Sequence, residues 1–272
     1  MEYQTRPLYS LSKQAAAELF NRSFEDYFIP VQFTEESFKA FTQRDAIDFK
    51  ASRILLANGE NAGLALIARR ENVSRLGGFG IISELRGQRA GTWFTQRLLD
   101  EARLRGERKM FLEVIAQNEY AIRLYEKHGF VKLRQLLGFI AEKPEGSADS
   151  DLKTCDQDSV LDLIRSDGTS NLPWQVDAET LSRVESFGYQ LGDAFALLSD
   201  PSAEQITVRS LVVPVQARGQ GEGARLLKAL YAKYPGKTWH VPAIFPEEMG
   251  RTFEQAEMQP ETLSQWQMVC TL

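Results

Sequence analysis

Apolar residues in the first half of the chain recur with two periods. From Leu11 to Phe24 the residues Ala15, Leu19, Phe20 and Phe24 share roughly one helical face, with Ser10 or Ser12 placed to cap it. A second helix is expected from about Thr34 to Gln43. The pattern then becomes strand-like. Ser52 to Ala57 and Gly63 to Ala68 read as strands joined by Asn58-Gly59-Glu60-Asn61, good hairpin-turn chemistry. Arg75 to Ile82 is the next strand, and a helix carrying Phe94, Leu98, Leu99 and Ala102 ends near Arg105-Gly106. Phe111 to Ala116 is a strand. A short helix follows with Ala121, Leu124 and Tyr125 on one face and Gly129 where a helix-ending glycine belongs. A strand starts at Val131.

The order then starts again. Helices are expected at Asp156 to Arg165 and at Asp177 to Glu185, with an irregular stretch, Ser166 to Val176, between them. Strands follow at about Gly188 to Ser199 and at Gln205 to Val213. Then come a helix with Leu226, Leu227, Leu230 and Tyr231, a strand at Thr238 to Ala243, a helix near Arg251 to Ala256 and a last strand, Gln265 to Thr271. The polar run Glu142 to Ser150 is the linker candidate, which divides the chain into domains at 1–143 and 151–272 with a linker at 144–150. Strands outnumber helices and the first ones are hairpin-joined. The expected class is therefore α/β of the α+β type, with a mixed, largely antiparallel sheet flanked by helices in each domain.

Composition narrows the function classes. A net charge of −5 lacks the cationic surface that nucleic acid requires, and it suits a cationic acceptor such as an amine. Two cysteines, Cys155 and Cys270, suit a reducing compartment, and MEYQTRPLYSLSKQ at the start has no apolar leader. No apolar run is long enough to span a bilayer. A cytoplasmic location follows as the expectation, with no nucleic-acid or membrane partner; homo-oligomerisation is left open. His128 and His240 are too far apart to suggest a metal pair and no Cys/His cluster exists, so no metal is expected. His128 is expected to be exposed near a helix end.

The chemistry-bearing feature occurs twice. Gly80-Ile81-Ile82 leads into Arg86-Gly87-Gln88-Arg89-Ala90-Gly91-Thr92 and a helix; Val213 leads into Arg218-Gly219-Gln220-Gly221-Glu222-Gly223-Ala224 and a helix. Each loop opens Arg-Gly-Gln and has a glycine five residues after the arginine, an internal repeat. Strand, glycine loop and helix together present unpaired N–H groups and the positive end of a helix dipole to an anion, most often phosphate. A dinucleotide loop would have a third glycine where Leu226 stands, and no Lys-Ser/Thr follows either loop as in a Walker site.

These loops, together with Asn118-x-x-Ala121-x-x-Leu124-Tyr125-Glu126-x-x-Gly129-Phe130 after Leu112-Glu113-Val114, resemble the GNAT family of acetyl-CoA-dependent N-acetyltransferases, in tandem over nearly the whole chain. The resemblance implies that the loop amides hold the pyrophosphate of coenzyme A and that the preceding strand pairs with the pantetheine arm. The cofactor-binding set is then Gly80, Ile81, Ile82, Arg86, Gly87, Gln88, Arg89, Ala90, Gly91, Thr92 and Asn118, with Val213, Arg218, Gly219, Gly221, Gly223 and Ala224 in the second half. An amine, of a small molecule or a peptide, attacks the thioester directly in a ternary complex. Tyr125 protonates the leaving thiolate. Glu84 and Glu113 are candidate bases by position. Phe24, Tyr27 and Phe28 fall where the family's acceptor binds. Two departures stand out: Arg89 replaces the first glycine of the first loop, and Phe253 aligns with Tyr125 in the second half, where nothing matches Asn118. Chemistry is expected in the first half. The alternative is a non-catalytic acyl-CoA-binding or regulatory protein.

Overall fold

The computed structural model describes residues 1–166 and 172–272. The chain forms two compact units, Met1–Leu133 with Trp266–Leu272, and Arg134–Gln265. Unit 1 contains β1 (Tyr3–Pro7), α1 (Lys13–Ser23), α2 (Glu35–Arg44), β2 (Arg53–Ala57), β3 (Glu60–Arg70), β4 (Val73–Ile81), α3 (Ala90–Leu104), β5 (Lys109–Ile115) and α4 (Glu119–Lys127). Strand β6 (Val131–Glu142) belongs to unit 2 from Arg134 onward. Unit 2 continues with β7 (Lys153–Cys155), α5 (Gln157–Ser166), α6 (Ala178–Leu181), β8 (Phe187–Leu191), β9 (Ala194–Leu198), β10 (Gln205–Val212), α7 (Glu222–Lys233), β11 (Thr238–Pro246), α8 (Gly250–Gln255) and β12 (Gln259–Pro260). The last strand, β13 (Gln265–Thr271), returns to unit 1 from Trp266.

Local chemistry explains the helix and turn boundaries. Ser12 Oγ accepts from the Ala15 N–H at 3.1 Å, and Thr34 with Ser37 forms a reciprocal capping box on α2. Asn58 (φ 49°) and Gly59 (φ 88°) make the two-residue turn between β2 and β3. Gly129 (φ 87°) ends α4.

The strand order in unit 1 is β1-β2-β3-β4-β5-β13, and in unit 2 it is β7-β8-β9-β10-β11-β6. Each unit has an antiparallel meander followed by one parallel pair, β4 with β5 and β10 with β11. This is the expected mixed sheet. The helix after each glycine loop crosses between the parallel strands. In unit 1 Phe94, Leu98, Leu112, Tyr125, Phe130, Met268 and Cys270 share one core. In unit 2 Tyr231, Trp239, Phe245 and Phe253 anchor the other. Each large side chain so buried contributes about 1.5–3 kcal/mol.

The compact units differ from the division expected at 144–150. By element order, the strand after α4 should close unit 1 and the strand after α8 should close unit 2. Instead β13 lies beside β5, and β6 pairs with β11 from Thr238↔Glu142 to Pro246↔Leu136. The polar run Glu142–Ser150 lies inside unit 2 and is pinned to α7. The Ser147 N–H donates to the Lys228 carbonyl at 3.1 Å, and Arg225 pairs with Asp149 at 2.8 Å.

Smaller differences have local causes. The short strands β1 and β7 lack a periodic signal and are held by pairing alone. The stretch read as one strand from Gly188 to Ser199 turns at Gly192 (φ 55°) into the hairpin β8–β9. The helix expected from Asp177 to Glu185 is capped by the Asp177 side chain yet stops at Leu181. The irregular stretch from Ser166 to Val176 falls in part on 167–171, outside the described residues; a 3-10 turn occupies Trp174–Val176.

Candidate active site

In unit 1 the pairing of β4 with β5 runs from Val73↔Lys109 to Leu76↔Leu112 and then ends, while β4 continues to Ile81. The strands part, and the glycine loop sits at the mouth of the gap. In the loop Gly87 (φ 77°) and Arg89 (φ 64°) are both left-handed, and Arg89 is the N-cap of α3. The first helical bond runs from the Trp93 N–H to the Arg89 carbonyl. The N–H groups of Ala90, Gly91 and Thr92 therefore precede the helical ladder and face the loop. A Cβ on Gly91 would lie 3.2 Å from Leu124 Cδ2, so this glycine serves the packing of α3 on α4.

The Arg86 side chain braces the loop. Its Nε donates to the Ile81 carbonyl at 3.1 Å and its Nη2 to the carbonyls of Ser23 and Glu25 at 3.2 and 3.0 Å. Gln88 Nε2 donates to the Glu84 carbonyl at 2.8 Å, and Tyr3 donates its hydroxyl proton to the Gln88 carbonyl. The Ile82 N–H is used by the Ala62 carbonyl. His128, expected at the surface, is half-buried: its Nδ1 lies 2.7 Å from the Leu124 carbonyl and its Nε2 lies 3.1 Å from that of Thr92, joining α4 to the start of α3.

Tyr125 is buried, with its ring edge-on to Phe79 and Phe130. Burial pushes its pKa well above the usual phenol range, and nearby Tyr27 adds to the rise. Tyr27 is also raised by burial, offset in part by its hydrogen bond to Asn118. Asn118 caps α4, its Oδ1 accepting from the Ala121 N–H at 3.1 Å. The fold thus brings Tyr27, Asn118 and Tyr125 together from segments almost a hundred residues apart in sequence. Phe24 stacks on Phe20 and meets Tyr27 edge-on, and Tyr27 meets Phe28 in turn. Phe28 is half-exposed at the end of this aromatic row. Gly80 makes the approach of Phe24 feasible: a Cβ there would lie 2.8 Å from Phe24 Cε2.

The two candidate bases are placed differently from the expectation. Glu84 is fully exposed on the turn before the loop. Its own backbone N–H and the Ser83 hydroxyl hold its pKa down, which weakens it as a base. Glu113 is buried, and its Oε2 accepts from Arg75 Nε at 2.7 Å. Arg75 Nη1 also donates to Asp45 Oδ2 at 2.9 Å, and Arg44 reaches Asp45 Oδ1 at 2.6 Å. Removing one partner would strand a buried charge. The Arg75–Asp45–Glu113 network and Phe79 escaped sequence reading. The run Gly77-Gly78-Phe79-Gly80 was the available signal, because alternate glycines on a strand mark close approach of something bulky.

Unit 2 repeats this geometry residue for residue. β10 pairs with β11 only from Gln205↔Thr238 to Thr207↔His240 and then parts from it. Gly219 (φ 80°) and Gly221 (φ 82°) hold the left-handed positions of Gly87 and Arg89. Arg218 Nε donates to the Val213 carbonyl at 2.8 Å, matching Arg86 on Ile81. A Cβ on Gly223 would lie 2.8 Å from Thr252 Cγ2, matching Gly91 against Leu124, and Ala224 is buried behind it. The Met258 N–H donates to the Phe253 carbonyl as the Phe130 N–H does to Tyr125. That register places Phe253 where Tyr125 stands and Pro246 where Asn118 stands. Phe253 is fully buried against Phe139 and Phe245. A cavity of about 520 Å³ opens in front of this loop.

No group of three or more His, Cys, Asp or Glu side chains that could hold a metal ion is found among the described residues. No helix among them is long and apolar enough to cross a membrane.

Residues 14–130 match the acetyltransferase (GNAT) family. A GCN5-related N-acetyltransferase from Sphaerobacter thermophilus is similar over 99% of this chain and 95% of its own, at TM-score 0.69 and 16% identity. A tandem GNAT protein from the clavulanic acid biosynthesis pathway is similar over 99% and 98%, at TM-score 0.65 and 11% identity. A GCN5-related N-acetyltransferase from Anabaena variabilis is similar over 98% and 72%, at TM-score 0.64 and 14% identity. At these identities the likeness is one of fold. No curated protein matches the chain.

Proposed function

We propose that this protein transfers an acetyl group from acetyl-CoA to a primary amine, and that unit 1 carries the reaction. The observation that carries the reading is the buried Tyr125 beside the gap between β4 and β5, with Asn118 and Tyr27 around it. Coenzyme A pyrophosphate would lie on the N–H groups of residues 90–92, and the pantetheine arm along β4 past its last pairing with β5. Arg86 and Arg89 add positive charge, and the first turn of α3 has no acidic residue to oppose it.

The amine attacks the thioester carbonyl, the carbon–sulfur bond breaks, Tyr125 gives its proton to the departing sulfur, and the proton shed by the acylated nitrogen returns through water to the phenolate. Burial keeps the phenol protonated and disfavours a bare thiolate in the same cleft, so a proton or hydrogen bond from Tyr125 stabilises the departing sulfur as the carbon–sulfur bond breaks. The acceptor enters as the free amine or sheds its proton to water, because Glu113 is committed to Arg75 and Glu84 is exposed with its pKa held down. The half-exposed Phe28 and the Tyr27 edge line the entry for the acceptor, a small molecule or a peptide amine.

Replacing Tyr125 with Phe tests this. Acetyl transfer should fall by about 10²-fold or more in kcat, with KM for acetyl-CoA nearly unchanged. In the wild type, the rate should rise with pH as the amine deprotonates. It should then hold to about pH 10, because a phenol pushed above its usual 10 stays protonated there. A Tyr125→Phe variant with full kcat would overturn the assignment.

A further inference from the structure

The fork between β4 and β5 is held by a buried charge cluster. The last paired residues are Leu76 and Leu112. Arg75 precedes that point on β4 and Glu113 follows it on β5, and Arg75 Nε donates to Glu113 Oε2 across it at 2.7 Å. The far end of the guanidinium, Nη1, donates at 2.9 Å to Asp45 Oδ2, at the C-cap of α2. The side chains of Arg75, Asp45 and Glu113 are only 5, 1 and 3% exposed. Gly77 makes room for the guanidinium, because a Cβ there would lie 2.9 Å from Nη1. Gly77 is also an extra residue on β4, between the pairs Leu66↔Gly78 and Ile67↔Leu76. The strand therefore bulges where the guanidinium sits. Taking three charges out of water is costly, and apolar side chains of similar volume often hold such a place equally well. What the cluster fixes is a better reason for it than stability.

We propose that Arg75 is a positioning residue: its bond to Glu113 limits how far β4 and β5 part, and so sets Tyr125 against β4. The inference rests on the acetyl-transfer reading of unit 1. β4 is secured along its other edge by β3 as far as Ile81. β5 has no such hold on β4; four residue pairs join them. Three residues past β5 begins α4, which carries Tyr125 edge-on to Phe79 of β4. Without the Arg75–Glu113 bond the split can run back toward Val73↔Lys109, and Tyr125 moves with β5 away from a thioester lying on β4. A shift of about 1 Å at the reacting atoms is enough for about a 10²-fold loss of rate. The glycine loop and the β4 edge stay in place, so the loss falls on kcat and spares the KM for acetyl-CoA.

The test makes three substitutions together, Asp45→Asn, Arg75→Met and Glu113→Gln, which remove every charge of the cluster and strand none. With n-butylamine as the probe amine, kcat should fall about tenfold or more, and KM for acetyl-CoA should stay within about twofold. Hydrogen exchange in the same variant should quicken by about tenfold in residues 73–76 and 109–112 and stay unchanged in the β2–β3 hairpin. Gly77→Ala crowds the guanidinium and keeps every charge. It should give the same loss in kcat alone, by about threefold, and serves if the triple variant folds poorly. Arg75→Lys, with one ammonium for two carboxylates, should fall between wild type and the triple variant. Wild-type kcat in the folded triple variant or in Gly77→Ala would overturn the proposal. So would faster exchange throughout unit 1 with kcat and KM changed together, the mark of a merely structural role. Failure of the acetyl-transfer reading appears separately, as a wild-type chain that leaves acetyl-CoA intact; the exchange measurement needs no acceptor and decides the fork by itself.

Discussion

The two glycine loops share a backbone and differ in what it is asked to do. At the second left-handed position unit 2 has Gly221 and unit 1 has Arg89. The next residue is Glu222 in one and Ala90 in the other. Unit 2 therefore has the unstrained turn with an acid at its helix start. Unit 1 has a strained turn with a second arginine. A non-glycine residue in this region costs about 1–2 kcal/mol. The helices that follow show the reverse asymmetry. Tyr125 keeps a hydroxyl at the cleft, while Phe253 is core. A shared frame thus persists while the side chains at its cleft diverge.

The strongest way to break the comparison is to remove residues 266–272. If the last strand completes unit 1, its loss should unfold that unit and abolish acetyl transfer. It withdraws the fully buried Met268, worth about 2–5 kcal/mol of core, together with the buried Cys270. Thermal unfolding of the shortened chain checks this. A first melting transition as in the full chain would show that unit 1 closes without β13. Cutting after Ser150 should be equally damaging, for the same reason.

The acid comes next. Phe253→Tyr should give no acetyl transfer in a Tyr125→Phe background, because the phenol would be enclosed by Phe139 and Phe245. Transfer restored in that double variant, measured by thiol release, would make the two units chemically interchangeable.

A smaller effect separates the helix-packing glycines. Gly223→Ala should cost about 1–3 kcal/mol, because its Cβ would meet Thr252 Cγ2 at 2.8 Å. Gly91→Ala should cost less, since Leu124 at 3.2 Å can turn aside. Denaturant midpoints rank the pair.

The smallest expected effect is at the left-handed position. Arg89→Gly should stabilise by up to about 1 kcal/mol and weaken acetyl-CoA, while Gly221→Ala should destabilise by about 1 kcal/mol. Equal and opposite shifts in the denaturant midpoint would support a shared backbone. A destabilised Arg89→Gly would show that the arginine side chain anchors the fold.

Much of the fold was legible because its signals are local. Thr34 with Ser37, Asn58-Gly59 and Gly129 act within a few residues of themselves. The repeated Arg-Gly-Gln loops and the Asn118-to-Phe130 spacing are local too. The placement of Tyr125, Asn118 and the loops around one gap was legible on the same grounds. Glu113 was misread because its partner Arg75 lies 38 positions away, and only strand pairing brings Asp45 to the same guanidinium. Glu84 was misread because adjacency to a cleft in sequence says nothing about which side of a turn faces it.

By itself, the sequence determined most of the elements, the repeat, the mixed sheet and the phenylalanine that stands in the second half where the first has Tyr125. Periodicity, capping and turn chemistry act within one or two turns of chain. Only the tertiary structure decided which strand closes each unit, that the polar run Glu142–Ser150 is pinned to α7 rather than free, that Tyr27 meets Asn118, and that a cavity lies in front of the unit 2 loop. β6 and β13 are both apolar strands of similar chemistry, so their partners are chosen by the space each sheet leaves open, which no local pattern records.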